Sequence, residues 1–193
     1  MTKLADNKLP MHPMDVSLSI QENLAEDTFV VFDGGDYCHF SRATVPIENY
    51  LRSLYVSSFG MIGVGLPYAI GAKAALPDKK VILVVGDGSL GFHVPEIDTS
   101  IRHNLPITVV VGNNSLWGID YWIQKGLYNR DVWTKLDQTK YELVATIAIP
   151  IFFINLLLCL ELKRAGQHFH LYTYEKQIVF LFLSPLTFSF FPS

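Results

Sequence analysis

The sequence predicts an α/β fold, a doubly wound parallel sheet followed by an atypical apolar C-terminal tail. Three observations predict it. Two continuous apolar runs, "KVILVV" (80–85) and "PITVVVG" (106–112), each stop at small polar residues, and a helix-like segment lies between them. Continuous apolar runs are expected of strands covered on both faces, and strands alternating with helices indicate parallel pairing with right-handed crossovers. Composition also shifts near residue 146: twelve of the thirteen glycines precede that point and eight of the thirteen phenylalanines follow it. The chain therefore reads as a linker at 1–13, a domain at 14–146 and a tail at 147–193.

The elements follow in order. "DVSLSIQENLAED" (15–27) carries Val16, Leu18, Ile20 and Leu24 as an imperfect amphipathic helix. "TFVVFD" (28–33) is a short strand rich in β-formers that runs into "GGD". "LPYAIGAKAAL" (66–76) reads as a helix with Pro67 in its first turn, where a missing N–H costs little. The strand at 80–85 comes next, then a short helix at "PEIDTSIRHN" (95–104), again opened by a proline, then the strand at 106–112.

Bulk properties exclude some function classes. A formal charge of −3 leaves no basic footprint for nucleic acid. Cys38 and Cys159 match no metal or redox spacing, and two cysteines in a chain this long fit a reducing compartment. The opening "MTKLADNKLPMHPMD" is polar, with no apolar run of a secretory signal, so a cytoplasmic location is expected.

The chemistry concentrates at "VVGDGSLGF" (84–92). Alone, Gly86-Asp87-Gly88-Ser89 is a tight turn after a strand. Asn113-Asn114 ends the next strand, however, with 24 residues between Gly88 and Asn113 to carry a crossover helix. If the two strands are neighbours, Asp87 and Asn114 meet about one strand spacing apart, roughly 5 Å, at one edge of the sheet. A carboxylate and an amide oxygen there form a hard oxygen site suited to Mg²⁺ that keeps phosphate oxygens as further ligands. The flanking glycines admit a phosphate, and ligands of doubly wound folds occupy this crevice.

"GDGS" followed by "NN" resembles the diphosphate motif of thiamine diphosphate (ThDP) enzymes, specifically the C-terminal domain of the acetolactate synthase, 2-oxoacid decarboxylase and 2-hydroxyacyl-CoA lyase group. "FGMIGVGLPYAIGAKAA" (59–75) is similar to that group's second signature, and "LPITVVVGNNSLWGI" (105–119) to its strand and metal loop. The resemblance covers roughly residues 14–146 and implies ThDP and Mg²⁺ as cofactors. It implies that Asp87 and Asn114 hold Mg²⁺ through side-chain oxygens and Leu116 through its carbonyl. Gly86, Gly88 and Ser89 would line the diphosphate, Gly60 would accept from the aminopyrimidine amino group, and Ile62 would prop the cofactor's bend. Gly35 and Asp36 align with a loop touching the diphosphate. A second carboxylate should repel that group, so the Asp36 side chain is expected to point to solvent.

Each residue also has a plainer reading. Gly60 could be a turn glycine, Ile62 a core residue, Trp117, Tyr121 and Trp122 helix packing, and His93 a helix-entry residue. In the resembled group the cofactor supplies the reactive carbon that adds to a 2-oxo acid or acyl-CoA carbonyl, and the protein supplies orientation, metal and a dry pocket. The activating glutamate of that group sits on a separate amino-terminal domain, and Glu22, Glu26, Glu48 and Glu96 do not match its context. The catalytic set is therefore expected to be incomplete in this chain, with a pyrimidine-binding domain or subunit as partner and a homodimer or higher assembly in the intact enzyme. A noncatalytic or regulatory chain leaning on a complete subunit, or an inactive truncated fragment, is the alternative.

The tail departs from the resembled group. Leu143–Leu160 has 18 residues, 15 of them apolar and none charged, the threshold for a transmembrane helix, although Pro150 and Asn155 argue against a good one. "IVFLFLSPLTFSFFPS" (178–193) is a second apolar run broken by two prolines. Three readings stand: a membrane anchor, a buried terminal element of a partner-dependent fold, and an end that never evolved to pack. On the last reading the sheet lacks a flank and exposed apolar surface promotes aggregation.

Overall fold

The computed structural model describes residues 12–45, 50–55, 59–136, 170–174 and 178–183. Helix α1 (Pro13–Asn23) starts slightly before the expected helix, because Pro13 fits its first position and the His12 ring accepts the Met14 N–H at 3.2 Å. Strand β1 (Phe29–Asp33) and helix α2 (Gly35–Thr44) follow, then the short strand β2 (Ser53–Tyr55). Helix α3 (Gly65–Ala75) leads to β3 (Val81–Gly86), the single turn α4 (Asp87–Gly91) and α5 (Glu96–Arg102). Strand β4 (Ile107–Gly112), helix α6 (Gly118–Tyr128), β5 (His170–Tyr174) and β6 (Ile178–Leu183) complete the described elements.

The expected strands and helices are present, and α2, β2, α4, α6, β5 and β6 are additional. The "GGD" after β1 is not a loop that continues outward. Gly34 at φ +64° turns the chain, and α2 begins at Gly35.

One sheet holds all six strands in the order β2-β1-β3-β4-β6-β5. β2, β1, β3, β4 and β6 run parallel, and β5 pairs antiparallel with β6. The side chains of the central strands alternate between two cores, as the two-residue strand period requires. Phe29, Val31, Leu83, Val85, Val109 and Val111 face α3 and α5, packing with Leu66, Ala69, Ile70 and Ile97. Val30, Phe32, Val84 and Val110 face α1 and α2, packing with Val16, Tyr37 and Cys38. Helices on both faces explain why these strands are continuously apolar in sequence.

The sheet does not stop at β4, as an unpacked tail would require. β6 pairs with β4 over Ile107–Gly112, and its register sets Gly112 opposite Leu183. The Leu143–Leu160 run lies outside the described residues. Among the described residues no helix is long and apolar enough to cross a membrane.

Strand order also fixes where a ligand can sit. From β1 the chain steps to β2 on one side, then returns to β3 on the other. The crevice at the C-terminal ends of β1 and β3 is therefore a topological switch point, the place where open α/β sheets hold ligands.

Candidate functional site

A cavity of about 230 Å³ opens at that crevice. It is lined by the turn after β1 (Gly34, Gly35, Asp36), the loop before α3 (Gly60, Ile62), the β3–α4 corner (Gly86, Asp87, Gly88, Ser89) and the loop after β4 (Asn114, Leu116, Trp117). Gly35, Asp36, Gly60, Ile62, Gly86, Asp87, Gly88, Ser89, Asn114 and Leu116, the residues singled out from sequence, all border it.

The register accounts for the meeting of Asp87 and Asn114. Gly86 of β3 lies opposite Gly112 of β4, so the residues just beyond both strands emerge at the same level. Asp87 is 2% exposed, and its Oδ2 has no hydrogen-bond partner among the described residues. Burial pushes its carboxyl up to about 6, against the opposing pull of the backbone N–H groups of Asp87, Gly88, Asn114 and Ser115. A buried carboxylate oxygen without a partner is a costly arrangement that a cation resolves.

The loop after β4 is set by its own side chains. Asn113 Oδ1 accepts from the Ser115 N–H and Asn114 Oδ1 from the Leu116 N–H, each at 3.1 Å, so two successive Asx turns fold the loop back on itself. A second segment clamps it: the Trp117 N–H donates to the Thr134 carbonyl at 2.8 Å and the Leu136 N–H to the Ser115 carbonyl at 2.7 Å. These bonds lie on either side of the Leu116 carbonyl and leave that group's own position defined by its neighbours. This clamp was not readable from sequence, since Thr134–Leu136 carry no motif.

Backbone crowding explains the glycine at 88. A Cβ on Gly88 would come within 2.6 Å of the Trp117 ring, so Trp117 packs directly over the motif. Trp117 thus belongs to the cavity wall, whereas Tyr121 and Trp122 meet edge to face on α6, with ring centroids 5.0 Å apart. Ile62 is 38% exposed, not a core residue, and stands at the cavity rim. His93 lies in the turn between α4 and α5 and does not line the cavity.

One expectation is overturned. Asp36 does not point to solvent: it is 7% exposed and lines the cavity. The turn at Gly34-Gly35 makes Asp36 part of the first turn of α2, where a carboxylate is favoured by the helix end, and Gly118, lacking a Cβ, leaves room for its Oδ2. Burial first, and the nearby Asp120 carboxylate second, push Asp36 up to about 6.

The cavity therefore combines two opposing influences. The first residues of α2 (Gly35, Asp36) and of α6 (Gly118, Asp120) line it, and helix N-termini favour an anion. Asp36, Asp87 and Asp120 border it as well, which an anion alone would not tolerate. An anionic ligand carrying its own divalent cation satisfies both.

Residues 33–150 match the protein family described as thiamine pyrophosphate enzyme, C-terminal TPP binding domain. The chain belongs to this family. Its ThDP-binding domain is 38% identical over 143 residues to the probable acetolactate synthase of Mycobacterium bovis, covering 72% of this chain and 26% of that protein. It is also 38% identical over 143 residues to 2-hydroxyacyl-CoA lyase 2 of Danio rerio, covering 73% of this chain and 23% of that protein. The fold is shared with the Rhodococcus jostii RHA1 thiamine diphosphate-dependent 4-hydroxybenzoylformate decarboxylase, at a TM-score of 0.65 and 20% identity, over 70% of this chain and 26% of that chain. The chain spans about a quarter of the length of the relatives it matches.

Proposed function

We propose that the cavity binds ThDP through Mg²⁺, as the C-terminal part of a lyase or carboligase acting on 2-oxo acids or acyl-CoA in the manner of the acetolactate synthase group. The single observation that carries the metal is the buried, unpartnered Asp87 Oδ2 on a cavity shared with Asn114 and Leu116. This donor set is all oxygen, which suits Mg²⁺ and not a softer metal. Asp87 and Asn114 would hold the ion by their side chains and Leu116 by its carbonyl. When bound, the cofactor supplies a nucleophilic carbon for addition to a carbonyl.

This chain's residues do the binding and orienting. Gly35, Gly86, Gly88 and Ser89 would surround the diphosphate, and Gly60 and Ile62, which line the same cavity, would contact the organic part and support its bend. Asp36, buried on the cavity wall at the start of α2, would face the bound cofactor and its ion.

Turnover is a property of a larger assembly. The described residues lining the cavity include three aspartates and no glutamate. A pyrimidine-binding domain or subunit completes the site, with a homodimer or higher state in the intact enzyme and a cytoplasmic location. Mixing the chain with such a domain from a related enzyme tests this. Decarboxylation that needs both components supports the reading, and decarboxylation by this chain alone contradicts it.

A further inference from the structure

The cavity rim carrying Gly60 and Ile62 is tethered by a residue outside the cavity. Asp33, the last residue of β1, is 3% exposed. Its Oδ1 and Oδ2 accept the Gly63 N–H at 3.2 and 3.0 Å, and Oδ2 also accepts the Gly65 N–H at 2.8 Å. Gly65 opens α3, whose N-cap Val64 offers no side-chain acceptor. The orphan N–H at that helix start is therefore satisfied from another strand, by a carboxylate that the helix end favours.

Both donors are glycines for a reason of space. Gly63 sits at φ +90°, and a Cβ there would lie 2.6 Å from Phe92. A Cβ on Gly65 would lie 2.8 Å from Asp33 Oδ2. Bare backbone at Gly65 lets the loop approach the carboxylate this closely, and bare backbone at Gly63 lets it pass Phe92. Burial raises the Asp33 carboxyl, the two glycine N–H groups lower it, and His93 lowers it further. The buried Cys38 thiol also lies close enough to feel the Asp33 charge.

We propose that Asp33 is a positioning residue: its carboxylate sets the 60–65 loop, and with it Gly60 and Ile62, against the cavity, while touching no ligand itself. The proposal rests on the ThDP reading of the cavity, because it assigns the loop to the organic half of the cofactor and leaves the diphosphate half to Asp87 and its neighbours. Losing Asp33 should therefore separate the two halves, which a merely structural role would not do.

The test compares the full chain with Asp33→Asn and Asp33→Glu. Two ligands are titrated in the presence of Mg²⁺, ThDP and inorganic pyrophosphate, and amide hydrogen exchange is followed over residues 59–66. In Asp33→Asn, exchange at Gly63 and Gly65 should quicken while β3 and β4 stay protected. ThDP binding should weaken by at least about tenfold, the loss expected for a charge-assisted hydrogen bond, with pyrophosphate binding unchanged. Unchanged exchange over 63–65, or equal weakening of both ligands, overturns the proposal. If Asp33→Asn fails to fold, Asp33→Glu keeps the charge and displaces the loop by one methylene, and the same split between ligands is expected at smaller size. A wild-type chain that binds neither ligand refutes the ThDP reading, and the exchange comparison then decides the tether alone.

Discussion

Asp87 carries the densest set of consequences at the residue scale. Its carboxyl is raised to about 6 in the fold from an ordinary value of 3.8, and Asp36 is raised to about 6 beside it. A raised carboxyl binds protons more tightly folded than unfolded. Ligand-free stability should therefore fall as pH rises from about 4 to about 6, and stay low above that window. Mg²⁺ favours the ionised form, so it should raise the melting temperature more at pH 7.5 than at pH 5, with Asp87→Asn removing most of the difference. Thermal melts at the two pH values, with and without MgCl₂, check both signs. Gly88→Ala gives a second prediction. The added methyl meets the Trp117 ring, so ThDP affinity should drop and tryptophan fluorescence should shift, with less effect at Gly126, where a Cβ meets nothing within 4 Å. The place of Asp87 in the cavity was legible in sequence because it follows from a local motif at a strand end. The inward orientation of Asp36 was not, because it depends on the missing Cβ of Gly118, distant in sequence.

Individual elements make their own claims. Leu83 of β3 is fully buried between α3 and the sheet. Leu83→Ala should cost ~2–5 kcal/mol of stability, measured by urea unfolding, without altering the cavity residues. β3 and β4 were readable because a strand covered on both faces needs an unbroken apolar run, and both end in glycine and polar residues. α2 was not, because "GDYCHFSRAT" mixes polar residues and aromatics with no clean period. β6 was missed for another reason. Its residues read as a simple apolar run, and strand pairing is non-local. Its place beside β4 predicts that removing residues 146–193 leaves β4 as an open parallel edge. Such a truncated chain should scatter light at concentrations where the full chain does not.

The whole molecule combines a switch-point cavity, two helix ends that favour an anion, and buried carboxylates on the cavity wall. The family is that of thiamine pyrophosphate enzymes, and the domain matched is the one that takes the cofactor. Fold class and the cavity-lining stretches around Gly60, Asp87 and Asn114 were legible from residues 59–119, because each stretch is short and tied to an element end. The loop tether at Asp33 and the clamp at Thr134–Leu136 were not, since both are contacts between distant segments. The central claim is that Asp87 and Asn114 bind ThDP through a divalent ion. Calorimetry of ThDP binding by the full chain, with and without Mg²⁺, tests it most directly when repeated on Asp87→Ala and Asn114→Ala. The account predicts binding that needs Mg²⁺ and is lost in both variants while their folds persist. Binding that is indifferent to Mg²⁺, or that survives both substitutions, would contradict it.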